Sequence, residues 1–219
     1  MSKRVRSIVV LISGRGSNLA ALVDYAQNSP DFVVAGVVSN RADAPGLAFA
    51  SSQGIPTEVV DHALFGSREA FEHALAGVVD LFKSDAVVLA GFMRILTPSF
   101  VNRYAGRLIN IHPSLLPAFP GLNTHERALE AGVRVHGATV HLVTAQLDHG
   151  PILDQAVVQV HENDTPEALA RRVLELEHRM LPRAVSAFLH GKLKAKGERV
   201  PGALRLPLLT ALSTTVAPE

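Results

Sequence analysis

Three polar side chains with complementary acid–base chemistry stand at separate points of the chain: Asn110, His112 and Asp148. Asn110 and His112 lie two positions apart in an apolar, strand-like stretch, and such residues point to the same side of a strand. An amide and an imidazole aimed at one point supply the hydrogen-bond donors that stabilise a developing oxyanion. The carboxylate of Asp148 would pair with His112 if its loop folds over the strand end. We therefore predict that the three residues form a catalytic centre.

Each of these residues also has an ordinary structural interpretation. Asn and His at a strand end often bond to the backbone of the following loop, and Asp shortly before Gly and Pro favours a turn. The residue types alone leave both interpretations open.

A second candidate site is the glycine-rich segment Ser13-Gly14-Arg15-Gly16-Ser17-Asn18-Leu19, between the first predicted strand and a helix that should begin near Ser17. Glycines allow backbone N–H groups to turn towards an anion at the helix N-terminus. A dinucleotide fingerprint would need glycine in place of Leu19, and a Walker loop would need Gly-Lys-Ser/Thr. The segment therefore indicates a site for a single phosphate monoester, with a plain tight turn as the alternative.

The ten histidines raise the question of a metal site. His136 and His141 are five apart on a predicted strand and should face opposite sides, and no HExxH motif occurs. We predict no metal. The chain has no cysteine, which excludes disulfides and thiol chemistry. On the last predicted helix, Glu175, Glu177 and His178 have the pattern of a solvated face.

Short β-branched runs alternate with helical patterns through the first half of the chain, and this rhythm predicts a parallel sheet. Several runs are apolar almost throughout, as expected of strands that helices cover on both faces. Asn110 and His112 lie at the carboxyl end of the fifth strand, at the sheet edge where open α/β folds bind ligands. The predicted strands are Ser7–Ile12, Val33–Ser39, Thr57–Val60, Ala86–Leu89 and Leu108–Ile111.

The character of the chain changes after residue 112, where the segment HPSLLPAFPG holds three prolines and predicts an irregular loop. Two alternating segments, His136–Val143 and Ile152–Val160, predict a further, antiparallel pair of strands. Thr165 then caps a helix that should run to about Leu189. We predict one domain over residues 1–190 and an appendage over residues 191–219.

Composition favours a folded protein that carries no general site for nucleic acid. The chain has 219 residues, 47% of them hydrophobic and 19% charged, and its formal net charge is +1. That charge gives no footprint for nucleic acid or an anionic membrane. No stretch approaches the roughly 20 apolar residues of a membrane span. We expect a cytoplasmic protein.

Four segments together closely resemble the phosphoribosylglycinamide formyltransferase family: GRGSNL, AGFMRIL, NIHPSLLPAFPG and LDHGP. The resemblance covers about residues 7–190 in the correct order. NIHPSLLP with a downstream Asp loop is specific to enzymes that use 10-formyltetrahydrofolate, and GRGSNL narrows the choice to the purine-pathway branch. The resemblance implies an α/β, Rossmann-like formyltransferase fold, with a mostly parallel central sheet and helices on both faces.

The same resemblance implies transfer of formyl from 10-formyltetrahydrofolate to the amine of 5'-phosphoribosylglycinamide in de novo purine biosynthesis. It implies small-molecule partners only, no metal, and a monomer or homodimer. It makes Asn110, His112 and Asp148 catalytic, and it assigns Glu177 to the ribose and glycinamide portion. The phosphate would be held by Gly16, Ser17 and Asn18, and the folate by Arg68, Met93, Arg94, Ile95, Leu96 and Asn110.

The chain departs from the family pattern at His149, where glycine is common, and at Arg15, where asparagine is common. Two related alternatives are a formyl-folate hydrolase and an initiator-tRNA formyltransferase. Both usually carry an extra domain, which we do not expect here, and the near-zero net charge opposes tRNA binding. A non-catalytic sugar-phosphate binding module is the alternative from another class.

Overall fold

A computed structural model describes residues 5–192 and 209–210 of the chain. Its strands are β1 (Arg6–Ile12), β2 (Phe32–Ser39), β3 (Thr57–Val59), β4 (Ala86–Leu89), β5 (Leu108–His112), β6 (Val135–Leu142), β7 (Ile152–Gln159) and β8 (Leu209–Thr210). Its helices are α1 (Ser17–Asn28), α2 (Pro45–Ser52), α3 (Arg68–Leu81), α4 (Pro98–Arg103), α5 (Thr124–Glu130) and α6 (Pro166–Leu189), with one 3-10 turn at His62–Leu64.

The strands form one sheet in the order β3-β2-β1-β4-β5-β6-β7-β8. The first five strands of the chain pair in parallel, β6 pairs antiparallel with β5 and β7, and β8 is parallel to β7. The order β3-β2-β1-β4-β5 is that of a Rossmann-like, doubly wound sheet, because the chain winds outwards in both directions from β1. The predicted parallel core and the predicted antiparallel pair are both confirmed.

Helices cover both faces of the sheet, as predicted. Ile8, Val10 and Ile12 of β1 are buried in one apolar cluster with residues of α1 and α6. Val9 and Leu11, which point the other way, are buried with residues of α3 and α4. The alternate residues of β1 thus enter two separate cores, which explains why the strand is apolar on both sides.

Helix α6 has the bounds that its sequence predicts. The Thr165 hydroxyl accepts a hydrogen bond from Ala168 N at 3.2 Å, and Pro166 occupies the first helical position. Proline is favoured there because its missing N–H would have no helical partner. The last helical residue is Leu189.

Most of the predicted appendage, residues 191–219, lies outside the described residues. Its described part is Gly191, Lys192 and the two-residue strand β8, whose residues pair with Ala156 and Val157 of β7. The predicted domain boundary near residue 190 therefore stays a prediction. Over the described ranges, no helix combines the length and the apolar character needed to cross a membrane.

Candidate active site

The loops that leave the carboxyl ends of β1, β2 and β4 are tied together at one edge of the sheet. Ser13 N, just after β1, donates to Gly91 O, just after β4, at 3.1 Å. Gly46 N, in the first turn of α2, the helix that follows β2, donates to Gly14 O at 3.1 Å. Since β1 lies between β2 and β4, this edge is the point at which the winding direction of the sheet reverses, where such folds bind ligands.

Asn110 and His112 project from β5 at this edge. Their neighbours across the sheet are residues of β6. The cross-strand register pairs Asn110 with His141 and His112 with Thr139. The Asn110 side-chain nitrogen, Nδ2, lies 3.1 Å from His141 Nε2. Antiparallel pairing of β5 with β6 therefore adds a second histidine beside the predicted amide.

Both ring nitrogens of His112 face hydrogen-bond acceptors. Nε2 lies 3.0 Å from the carbonyl oxygen of Phe119, and Nδ1 lies 3.4 Å from Asp148 Oδ2. A carbonyl oxygen only accepts, so Nε2 carries a proton in this contact. A ring protonated at both nitrogens satisfies both neighbours, and the side chains of His112 and Asp148 are both buried.

Asp148 joins the two irregular loops over the strand ends. Its carboxylate accepts a hydrogen bond from Gly121 N, in the proline-rich loop, at 2.8 Å. Its backbone adopts a left-handed conformation, with φ of 52°. The structure therefore brings Asp148 to His112, and it also ties the Asp148 loop to the segment after β5.

The proline-rich loop is held down by Thr139 of β6. The Thr139 hydroxyl donates to Ser114 O at 2.7 Å and accepts from Leu116 N at 3.0 Å. The Gln155 side chain of β7 donates to Leu116 O at 2.9 Å. These contacts hold the backbone of the loop that presents the Phe119 carbonyl and the Gly121 amide to the His112 and Asp148 pair.

His141 is the residue of this cluster that the sequence interpretation missed, because it was considered only as a metal ligand. Burial lowers its pKa, while a bond to the Leu142 carbonyl and the charge of Asp148 act in the opposite direction. Its Nδ1 lies 3.0 Å from Leu142 O, so the proton of the neutral ring sits there. Nε2 is then free to accept a hydrogen from the Asn110 amide.

A second pair of histidines, His125 and His136, adjoins the cluster. Their rings pack edge to face at 5.3 Å, and the Phe119 ring packs against His136. Burial lowers the pKa of His136 to about 4 and lowers that of His125. Among residues 5–192, no group of three or more potential ligands could hold a metal ion.

The glycine-rich segment turns into α1 as predicted. Gly16 precedes the helix with φ of 77°, and a Cβ there would come within 2.9 Å of Gly46 Cα. Only glycine combines this conformation with so close a backbone approach. Among the described residues no side chain caps α1, so the first N–H groups of this helix have no capping side chain there.

Asn18 and Glu177 meet across the contact of α1 with α6. Asn18 Nδ2 donates to Glu177 Oε2 at 2.7 Å, and Asn18 Oδ1 is buried without a hydrogen-bond partner among the residues that the structure describes. Glu177 is only 7% exposed, and burial raises its pKa to about 7 although the bond from Asn18 acts against this. The prediction of a solvated face is therefore wrong for Glu177, because α1 covers it, and it is right for the exposed Glu175.

The residues that the family resemblance assigns to folate lie along the same edge. Met93 and Ile95 are 74% and 61% exposed, whereas Leu96 is buried against the core beneath α3 and α4. Arg94 is half-buried. Arg68 is exposed at the first position of α3, and within the described chain no hydrogen bond or ion pair links it to the His112 cluster.

The formyl transferase family model matches residues 6–185 of the chain. The chain is 48% identical to phosphoribosylglycinamide formyltransferase of Escherichia coli (strain K12), over 89% of this chain and 96% of that protein. It is 46% identical to the trifunctional purine biosynthetic protein adenosine-3 of Gallus gallus, over 85% of this chain and 19% of that protein. The solved phosphoribosylglycinamide formyltransferase of Coxiella burnetii, in complex with CHES, matches with a TM-score of 0.84 and 49% identity, over 87% of this chain and 90% of that one. The chain thus belongs to the formyl transferase family.

Proposed function

We propose that this chain transfers the formyl group of 10-formyltetrahydrofolate to the amine of 5'-phosphoribosylglycinamide, a step of de novo purine biosynthesis. The observation that carries the proposal is the buried contact of His112 with Asp148, beside Asn110 and at the sheet edge where α1 begins. Similarity to the Escherichia coli enzyme over nearly the whole of that protein supports the choice of substrates.

The chemistry that these side chains suit is acyl transfer through an oxyanion. The lone pair of the glycinamide amine attacks the formyl carbon, and the electrons of the C=O bond move to oxygen. Asn110 donates from Nδ2 and His112 from Nε2, which bonds to the Phe119 carbonyl in the free chain. The bond from carbon to N10 of the folate then breaks, N10 takes up a proton, and the attacking nitrogen loses one. Asp148 holds the His112 ring through Nδ1 and stabilises its positive charge.

The start of α1 suits the phosphate of the second substrate. Backbone N–H groups of Gly16, Ser17 and Asn18 and the positive end of the helix dipole favour a dianion there. A local site is needed because the chain as a whole carries a net charge of only +1. Glu177, held to Asn18, would accept hydrogen bonds from the ribose and glycinamide portion.

The folate would lie along the segment from Met93 to Leu96. Exposed apolar side chains at Met93 and Ile95 suit the faces of an aromatic ring, and backbone groups of Arg94 and Leu96 would read its polar edge. Asn110 would contact the formyl end, and Arg68 would contact the folate from the start of α3. We further propose that the protein works in the cytoplasm on small molecules alone, without metal or nucleic acid, as a monomer or homodimer.

The test is a spectroscopic assay with 10-formyl-dideazafolate as donor and phosphoribosylglycinamide as acceptor. Parallel reactions contain free glycine, initiator tRNA, or no acceptor. We expect turnover with phosphoribosylglycinamide alone. Formate release without an acceptor would identify a hydrolase, formylation of tRNA would identify the tRNA enzyme, and binding with no turnover would identify a non-catalytic module. Any of these three results overturns the proposal.

A further inference from the structure

The segment from Met93 to Leu96, here called the 93–96 segment, has no helix or strand, yet a buried side chain holds each end. At the first end, Met93 N donates to Ser13 Oγ at 2.8 Å. Ser13 is 8% exposed and is the first residue of the glycine-rich segment. One side chain therefore links the predicted phosphate loop to the predicted folate-binding segment.

The Ser13 hydroxyl is fixed in orientation by a second buried side chain. Ser13 Oγ donates to Asn40 Oδ1 at 2.5 Å, and Asn40 lies just after β2. Asn40 Nδ2 in turn lies 3.1 Å from His62 Nδ1. Because the only proton of the hydroxyl goes to Asn40, its lone pairs are left to accept the Met93 N–H.

The far end of the segment is held by Glu72, a buried carboxylate on α3. Glu72 accepts from Thr97 N at 2.8 Å and also from the Thr97 hydroxyl. Thr97 Oγ1 caps α4 by accepting from Phe100 N. Glu72 therefore sets the point at which the 93–96 segment ends and α4 begins.

We infer that Ser13 and Glu72 are positioning residues that determine affinity for the formyl-folate, an inference that rests on the proposed function. Met93 and Ile95 project into solvent, so little packing holds them in place. A loop with few buried contacts opens easily unless hydrogen bonds restrain it. The two buried anchors supply that restraint at Met93 and at Thr97, on either side of the exposed residues.

The first variant is Ser13→Ala, which leaves the Met93 N–H without its acceptor. We expect the KM for formyl-folate, and the dissociation constant of 10-formyl-dideazafolate measured by calorimetry, to rise about 10-fold. The KM for phosphoribosylglycinamide should change less than about twofold, because Gly14 keeps its backbone bond to Gly46. Ser84→Ala is the matched control. Ser84 is also 8% exposed, but its buried hydroxyl has no hydrogen-bond partner within the described ranges, and it precedes β4 at the opposite edge of the sheet.

The second variant, Glu72→Met, keeps a long, buried side chain and removes the acceptor at the other end. We expect Glu72→Met to have the same effect as Ser13→Ala: it should weaken folate binding and leave the KM for phosphoribosylglycinamide unchanged. Equal loss for both substrates, in step with a lower melting temperature, would reduce both residues to structural roles and overturn the inference. Unchanged folate binding in both variants would also overturn it. A wild-type chain that binds the folate analogue but transfers no formyl group would defeat the proposed function only.

Discussion

At the scale of single residues, two neighbouring histidines have opposite hydrogen-bonding roles. His112 Nε2 faces a carbonyl oxygen and therefore donates, and its Nδ1 lies 3.4 Å from the Asp148 carboxylate. His141 donates from Nδ1 to a carbonyl, and its buried, neutral ring offers Nε2 to the Asn110 amide. The His112 ring is thus suited to donate to a negatively charged oxygen, and the His141 ring is suited to orient the Asn110 amide as a second donor.

We expect His112→Ala and Asp148→Asn to lower kcat by about 10²–10³, since each removes or misorients one donor to the oxyanion. Asp154→Asn, a change at a half-buried carboxyl on β7 outside the cluster, is the control and should leave kcat near the wild-type value. The kcat of the wild type and of each variant is measured by steady-state kinetics, and circular dichroism verifies that each variant is folded. Near-normal kcat in both site variants would remove them from the chemistry.

Glu177 should make stability depend on pH in a predictable direction. The pKa of Glu177 is about 7 in the folded chain, against an ordinary value of 4.5. The folded chain therefore favours the protonated carboxyl, and the contribution of Glu177 to the free energy of unfolding is complete below pH 4.5 and declines as pH rises to about 7. The free energy of unfolding of the wild type should fall relative to that of Glu177→Gln by up to about 3 kcal/mol over this range. Urea unfolding of both proteins at several pH values tests this, and a difference that is flat with pH would contradict it.

At the scale of elements, the sequence predicts most of the sheet because strand signals are local. Runs of β-branched residues mark β1 to β7 to within a residue or two, and Thr165-Pro166 marks the start of α6. The same-side placement of Asn110 and His112 follows from strand geometry alone. Contacts between distant elements could not be predicted in this way. The burial of Glu177 depends on α1 packing against α6, and the Gly121 bond to Asp148 depends on how two irregular loops meet.

Helix α5 and the proline-rich loop should loosen in acid because His125 of α5 packs against His136 of β6. The pKa values of His125 and His136 are lowered, that of His136 to about 4. The contribution of the neutral rings to stability is therefore present above about pH 6.5 and is lost as pH falls towards 4. Two charged rings at 5.3 Å would repel each other. The protection factors of the amides in residues 119–131, which correct for the slower intrinsic exchange in acid, should fall between pH 6.5 and 4.5, and His136→Phe should suppress this fall. An equal fall in wild type and variant would refute this cause.

At the scale of the whole molecule, every residue assigned to the site lies between residues 5 and 192. Strand β8 pairs with β7, two strands away from β5. The strand that carries Asn110 and His112 therefore does not depend on β8 for its hydrogen bonds.

A chain truncated after Lys192 should fold and keep kcat within about twofold of the full chain, because the described residues that it loses are only Leu209 and Thr210, whose pairing with β7 accounts for a few hydrogen bonds. The melting temperature should fall by only a few degrees, roughly the effect of 1 kcal/mol in a domain of this size. The melting temperature of the full and the truncated chain is measured by calorimetry, and their kcat values are measured by the formyl-transfer assay. Loss of folding or of turnover would show that residues beyond 192 belong to the domain.

Transfer of a formyl carbon by this cluster, from a folate nitrogen to the amine of phosphoribosylglycinamide, can be followed through the carbon itself. Donor labelled with ¹³C in the formyl group is mixed with the acceptor and either wild type or Asp148→Asn, and the label is observed by NMR. We predict a new formamide carbon on the glycinamide product in the wild-type reaction, formed about 10²–10³ times more slowly by the variant. Label that remains on the donor or appears as free formate, or equal rates for the two proteins, would contradict the account.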